Sequence, residues 1–303
     1  AGIIAAAGRV DILLANLYRQ DWPVIGFVSQ AIVAYNRNRD TDTFFDSNDF
    51  LTRPAALGRE APREYDVTYL GYNGDGHFGR VNLTASAYLA LGDQSNGVFT
   101  PEETDIRAGF LAAEASMDFD WIRARLSAAY ATGDDDPFDD VSQGYDAIFE
   151  NPIFAGADTN YWIRQNIPLI GGGGVALSTR NGLLANLRSS KEQGQSNFDN
   201  PGLRLIGLGA DFDFTPQSRL STNLNYLWFD DVAVLETLRA AAPIDNDIGT
   251  DFSLAYIWRP YQTQNIVFRF SGAALFPGEG LEKLYGTDET FSYWVLANLI
   301  LTF

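Results

Sequence analysis

Apolar and polar residues alternate with period two through most of this chain, and that alternation constrains the fold more than any other feature. In residues 218–230, Leu220, Thr222, Leu224, Tyr226 and Trp228 share one face, and Arg219, Ser221, Asn223 and Asn225 share the other. Residues 78–91 set Val81, Leu83, Ala85, Ala87 and Leu89 against Arg80, Asn82, Thr84 and Ser86; residues 264–274 set Ile266, Phe268, Phe270 and Gly272 against Val267, Arg269 and Ser271. Successive side chains of a strand point to opposite faces, so such segments are strands with one apolar and one polar surface. Eleven can be marked: 9–18, 24–37, 65–73, 78–91, 105–118, 122–132, 201–214, 218–230, 248–258, 264–275 and 291–303. Residues 232–241 form the one short helical candidate.

The connections alternate in length. Short ones, such as Gly74 to His77, Phe119 to Trp121 and Thr215 to Gln217, are each followed by a long one, at 38–64, 92–104, 133–200, 231–247 and 276–290. An up-and-down meander collects all short turns at one end and all long loops at the other. The five long loops hold 27 of the 39 acidic residues and 10 of the 21 basic ones, so nearly all of the net charge of −18 belongs to the loop end.

Strands of about ten residues, short turns opposite long loops and an apolar face on every strand predict an all-β, antiparallel up-and-down transmembrane β-barrel. Closure satisfies every backbone polar group in lipid. Trp22, Phe119, Trp121, Trp258 and Tyr261 fall at or beside short turns, and Tyr226, Trp228 and Phe229 mark the loop end of their strand, as two interfacial girdles would. The competing reading is a soluble β-sandwich or large barrel. The longest apolar run, Val295–Phe303, is interrupted by Asn298 and Thr302, so no transmembrane helix is expected.

Composition narrows the chemistry. The chain has no Cys, one His and one Met, which excludes thiol nucleophiles, disulfides and Cys-based metal centres. The acidic balance argues against nucleic acid. No Ser-His-Asp spacing is visible and His77 is read as a surface turn residue, so no enzyme is expected. Gly74, Gly76 and Gly79 match GxGxxG, but a strand follows where a nucleotide site needs a helix; Asn73–Gly76 reads instead as a hairpin turn. Residues 171–174 are four glycines without the Lys-Ser/Thr of a phosphate loop. The 133–200 connection is long enough to fold inward and constrict a pore.

Arg80, Arg107, Arg123, Arg125 and Arg269 fall on the polar phase of their strands, and Arg204 belongs to a strand of mixed phase in which Gly207 and Gly209 can carry a phase-switching bulge. These six are the pore-lining candidates, because an arginine facing lipid at the midplane costs about 2–4 kcal/mol. They either pair with acids such as Asp211, Asp213 or Asp251 or present an anion-attracting surface. Strict alternation puts Glu114 opposite Arg107. Asp134, Asp135, Asp136, Asp139 and Asp140 are candidate Ca²⁺ ligands, as are Asp40, Asp42, Asp46 and Asp49; neither set has EF-hand spacing, and plain solvated acidic loops are the simpler reading.

The last segment, FSYWVLANLILTF, ends on Phe303 and resembles the closing strand of bacterial outer-membrane barrels. The resemblance implies that Phe303 belongs to the signal read by the barrel-assembly machinery, that the C-terminus and short turns are periplasmic, and that the long loops are extracellular beside lipid and lipopolysaccharide. Counting back, the strand at 9–18 then also descends. Eleven is odd where such barrels are even-stranded, so the expectation is a single barrel domain over 1–303 that forms the C-terminal part of a larger barrel. Tyr130–Gly156 (YATGDDDPFDDVSQGYDAIFENPIFAG), followed by Tyr161–Arg164, resembles alginate-export-like outer-membrane proteins. That likeness implies a porin-like channel for a polar or anionic solute or polysaccharide, with an Arg-lined lumen. The alternative is a structural barrel that sheaths or anchors a partner protein subunit.

Overall fold

A computed structural model of the chain describes residues 10–39, 64–97, 99–148, 155–156, 159–162, 166–168, 174–176, 196–239, 243–261, 265–285 and 291–302. Eleven long strands follow one another in a single antiparallel meander: β1 (Val10–Gln20), β2 (Phe27–Asn38), β3 (Glu64–Phe78), β4 (Val81–Ser95), β5 (Thr104–Phe119), β6 (Ile122–Ala131), β10 (Leu203–Thr215), β11 (Ser218–Trp228), β12 (Asp247–Trp258), β13 (Ile266–Pro277) and β14 (Ser292–Leu301). Inside the long connection, β7 (Val141–Ser142) adds to β5 in parallel, while β8 (Asn166–Pro168) and β9 (Gly174–Ala176) pair only with each other. Two short helices, α1 (Ala233–Arg239) and α2 (Glu279–Tyr285), lie in the last two long loops. Among the described residues, β1 is paired only with β2 and β14 only with β13. The odd strand number makes these two edges run in the same direction.

The expected strands are all present, and α1 falls on the helical candidate. The turn after β3 differs from expectation. Asn73 to His77 continue the strand, and the chain reverses at Gly79–Arg80, between the opposed residues Phe78 and Val81. The glycines of this stretch serve close approach instead of a turn. A Cβ on Gly74 would stand 2.6 Å from the Phe27 ring, and one on Gly76 2.3 Å from the Gly26 carbonyl. His77 accordingly sits in β3, not in a turn.

The two faces differ as the alternation requires. On β11, Asn223, Asn225 and Leu227 are buried and Leu224 and Tyr226 exposed; on β12, Asp251, Ser253 and Ala255 are buried and Phe252 and Leu254 exposed. Polar side chains therefore point to the covered, inner face and large apolar ones outward, the reverse of a water-soluble sheet. The outward face carries aromatics at both ends. Trp121 packs with Phe212 and Phe214, and Trp258 with Phe268, at the short turns. Tyr226 with Trp228, and Phe291 with Phe276 and Tyr293, mark the loop end. A sheet with this plan and these surfaces is of the outer-membrane β-barrel type.

Candidate functional site

At the short-turn end, the inner face is a ladder of paired charges built by strand register. Asp118 on β5 stands opposite Arg123 on β6, which stands opposite Asp211 on β10. Arg123 makes two hydrogen bonds to Asp118, at 2.6 and 3.0 Å. Arg219 likewise grips Asp213 across the β10–β11 hairpin, at 2.6 and 2.8 Å. Arg125 reaches Asp211 at 3.1 Å and donates to Asn223 Oδ1 at 2.8 Å. Gly209, between them in register, keeps that space free: a Cβ there would lie 3.0 Å from the Arg125 guanidinium. Three arginines thus meet three aspartates, and these six groups sum to no net charge.

Toward the loop end, the inner face is filled by the long connection between β6 and β10. Ala155 donates its N–H to Glu114 at 2.9 Å and accepts from Asn225 Nδ2 at 3.0 Å. Gly156, at φ 69°, lies so close to Asn223 that a Cβ would be 2.1 Å from its amide nitrogen. Arg269 Nη2 donates to Thr159 at 2.8 Å, and the Trp162 main-chain N–H donates to Asp251 at 2.6 Å. Above these polar contacts, Trp162, Phe229, Leu205, Leu227, Leu235, Ile248 and Leu284 form an apolar cluster that also takes in α1 and α2. A second cluster joins Tyr65, Val67, Tyr69, Ile106 and Phe198, with Tyr145 stacked on Phe110. The polar wall and the apolar plug are therefore parts of one packed interior.

The two arms of the connection meet at a neck. Asp134 N–H donates to Asn200 O at 2.9 Å and Gly144 N–H to Phe198 O at 2.7 Å. Asp199 Oδ1 accepts from Ser142 at 2.7 Å and from Gln94 on β4 at 3.1 Å, while Thr104 and Ser142 share a hydrogen bond of 3.0 Å. Burial, then the nearby Asp199 carboxylate, pushes Asp134 up to about 8; Asp139 and Asp135 act in the same direction.

These positions revise the expected site. Arg123, Arg125 and Arg269 lie on the inner face, engaged with Asp118, Asp211 and Asn223, and Thr159 respectively. Arg80 lies in the Gly79–Arg80 turn and reaches the Asp118 carbonyl at 3.4 Å. Arg107 and Arg204 are corrections: both point outward. Thr104, Ile106 and Ala108 are the buried phase of β5, so Arg107 shares the outward face with Asp105, to which it is bonded at 2.6 Å. Leu205 and Asp211 are the buried phase of β10, so Arg204 faces outward too, paired with Asp230 and lying over the Tyr130 ring. β10 keeps one phase throughout, and its register shift falls at Asp213/Thr215, beyond Gly207 and Gly209. Arg219 is a further inner arginine whose phase was legible, and Glu114, which an inward Arg107 would set on the opposite face, is an inner residue.

The five-aspartate set does not converge either. Asp135 accepts from Gln143 Nε2, Asp136 from the Phe138 N–H and Asp139 from the Val141 N–H, and these three, with Asp140, are exposed. Among the described residues, no three His, Cys, Asp or Glu side chains come together as a metal set. Phe303 and Asp40, Asp42, Asp46 and Asp49 lie outside the described residues.

No protein-family model matches the chain, and no curated protein does. Among solved structures the chain is similar to the outer membrane phospholipase A from Escherichia coli, at 10% identity and a TM-score of 0.32, over 96% of this chain and 77% of that one. The expectation that no enzyme is present is corrected on this finding, because the similar barrel is a phospholipase. The likeness itself is too slight to carry any activity to this chain.

Proposed function

We propose that this chain forms the wall of a channel in the bacterial outer membrane, gated from within by its own long loop, that passes a polar solute or polysaccharide. The observation that carries the reading is the division of the inner face. Its short-turn half is a partly exposed surface of matched charges, and its loop-end half is stopped by a segment held on Glu114, Asn225, Asp251 and Arg269. When the segment moves, its bonds to the polar wall are exchanged for water, so the cost of displacement falls mainly on Trp162 and its packing against Phe229. The paired arginines argue for weak ion selectivity over a strong preference for anions. An alginate-export-like polysaccharide, long and hydroxyl-rich, suits such a lining.

Planar-bilayer recording tests the proposal. The intact chain should give small or infrequent conductance steps, and a chain lacking residues 149–195 should give large, sustained ones. Absence of steps from the shortened chain, once shown to be inserted and folded, overturns it. In that outcome the sheathing or anchoring of a partner protein subunit becomes the better reading.

A further inference from the structure

The neck of the long connection is made of buried aspartates. Asp134 and Asp146 are each 1% exposed and Asp199 5%. Asp146 accepts the Asn197 N–H at 2.8 Å, and its carbonyl accepts the Tyr69 hydroxyl at 2.8 Å. Asp199 is held by Ser142 and Gln94. At Asp134 only one oxygen is met. Its Oδ1 accepts the Gln143 N–H at 3.1 Å, but its Oδ2 is fully buried and meets no donor. Among the described residues, the charged side chains acting on it are acidic: Asp199 foremost, then Asp139 and Asp135. A carboxylate oxygen removed from water with neither donor nor counter-charge is strongly unfavourable.

We propose that a divalent cation, with calcium the best fit, binds at this neck on Asp134 Oδ2 and the Asp199 carboxylate. The two carboxylates offer hard oxygens, which argues against a preference for zinc or copper. Calcium accepts six to eight oxygens in loose geometry and takes main-chain carbonyls and water alongside carboxylates, whereas magnesium demands a near-regular octahedron. Two carboxylates on a loop neck, which leave the remaining positions to carbonyls and water, suit the former. The site differs from the expected five-aspartate cluster: Asp135, Asp136, Asp139 and Asp140 supply negative potential at its approach, not ligands. Because Asp134 and Asp199 belong to opposite arms of the loop, and Asp199 is bonded to Gln94 of the wall, the ion would fasten the arms to each other and to β4. This inference is independent of what the barrel passes.

The test uses the full chain folded in detergent and stripped with EDTA. Calcium is titrated by calorimetry, and cleavage of the long loop by protease is followed with and without the ion. Wild type and Asp136→Asn should bind calcium and gain protection. Asp134→Asn should bind about tenfold or more weakly and, in EDTA, should be more stable than wild type. No binding by wild type up to about 10 mM, well past the ~1 mM of weak calcium sites, overturns the proposal. So does wild-type affinity in Asp134→Asn. A stability gain in that variant without any calcium effect on wild type would mean a protonated buried acid, and would equally overturn it. The protease arm on wild type decides the matter should Asp134→Asn fail to fold.

Discussion

Replacing Leu224 with arginine tests the inside-out reading most directly. Leu224 lies on the outward face of β11, 47% exposed, and is the seventh of that strand's eleven residues. At about 3.4 Å per residue and a tilt of about 40°, β11 climbs about 26 Å, matching the apolar band of roughly 25 Å in barrels of this type. Leu224 then stands about 3 Å from mid-height, where an outward arginine costs about 2–4 kcal/mol. Leu220, on the same face but only about 5 Å above the short turn by the same rise and tilt, should tolerate arginine at about 0–1 kcal/mol. Equilibrium unfolding by guanidinium in lipid vesicles, followed by tryptophan fluorescence, measures both, with Leu224→Ala as the control for lost side-chain volume. If Leu224→Arg proves no more costly than Leu220→Arg, the outward face does not meet lipid and the membrane reading fails.

Three further outcomes follow from the inner face. Asp211→Asn strips the acid from Arg125, whose side chain is only 15% exposed; a loss of about 3 kcal/mol, at the lower end for a broken buried pair, is expected in the same unfolding assay. Trp162→Ala empties a position 2% exposed against Phe229 and should cost about 3–5 kcal/mol locally, seen as faster proteolysis of the long loop with the circular dichroism of the sheet unchanged. Gly156→Ala introduces a Cβ where Asn223 stands, at a φ that disfavours side chains, and should raise the open time of single channels without lowering expression.

How far the molecule was legible from its residues depended on the range of the physics involved. Strands could be read because period two is local, and eleven of them appear in order. The β3 turn departs from the sequence pattern because Asn-Gly-Asp-Gly offers the backbone freedom of a hairpin; only the packing of Phe27 and Gly26 on Gly74 and Gly76 shows why glycine is needed there. Arg107 and Arg204 depart from the expectation because arginine does not avoid the outward face everywhere. Both stand at the loop end of their strands, where the penalty falls to about 0–1 kcal/mol and an acid, Asp105 or Asp230, stands within reach. Counting back from Leu111 through Gly109 would have placed Arg107 correctly. The plug contacts were beyond sequence reasoning. Trp162 and Asp251 are 89 residues apart, and no pattern along the chain encodes which wall residue receives which loop residue.

That separation also imposes an order on how the protein is made. Thr159 meets Arg269 across 110 residues, and its neighbour Trp162 needs Asp251 on β12. Neither bond can form before the later hairpins have been laid down beside β10, and loop closure over such distances lags behind local hairpin pairing. The wall must therefore be nearly finished while its interior is still vacant, and the stopper seats last. Any factor that guides insertion handles an intermediate whose interior is filled only by the final docking of residues synthesised long before.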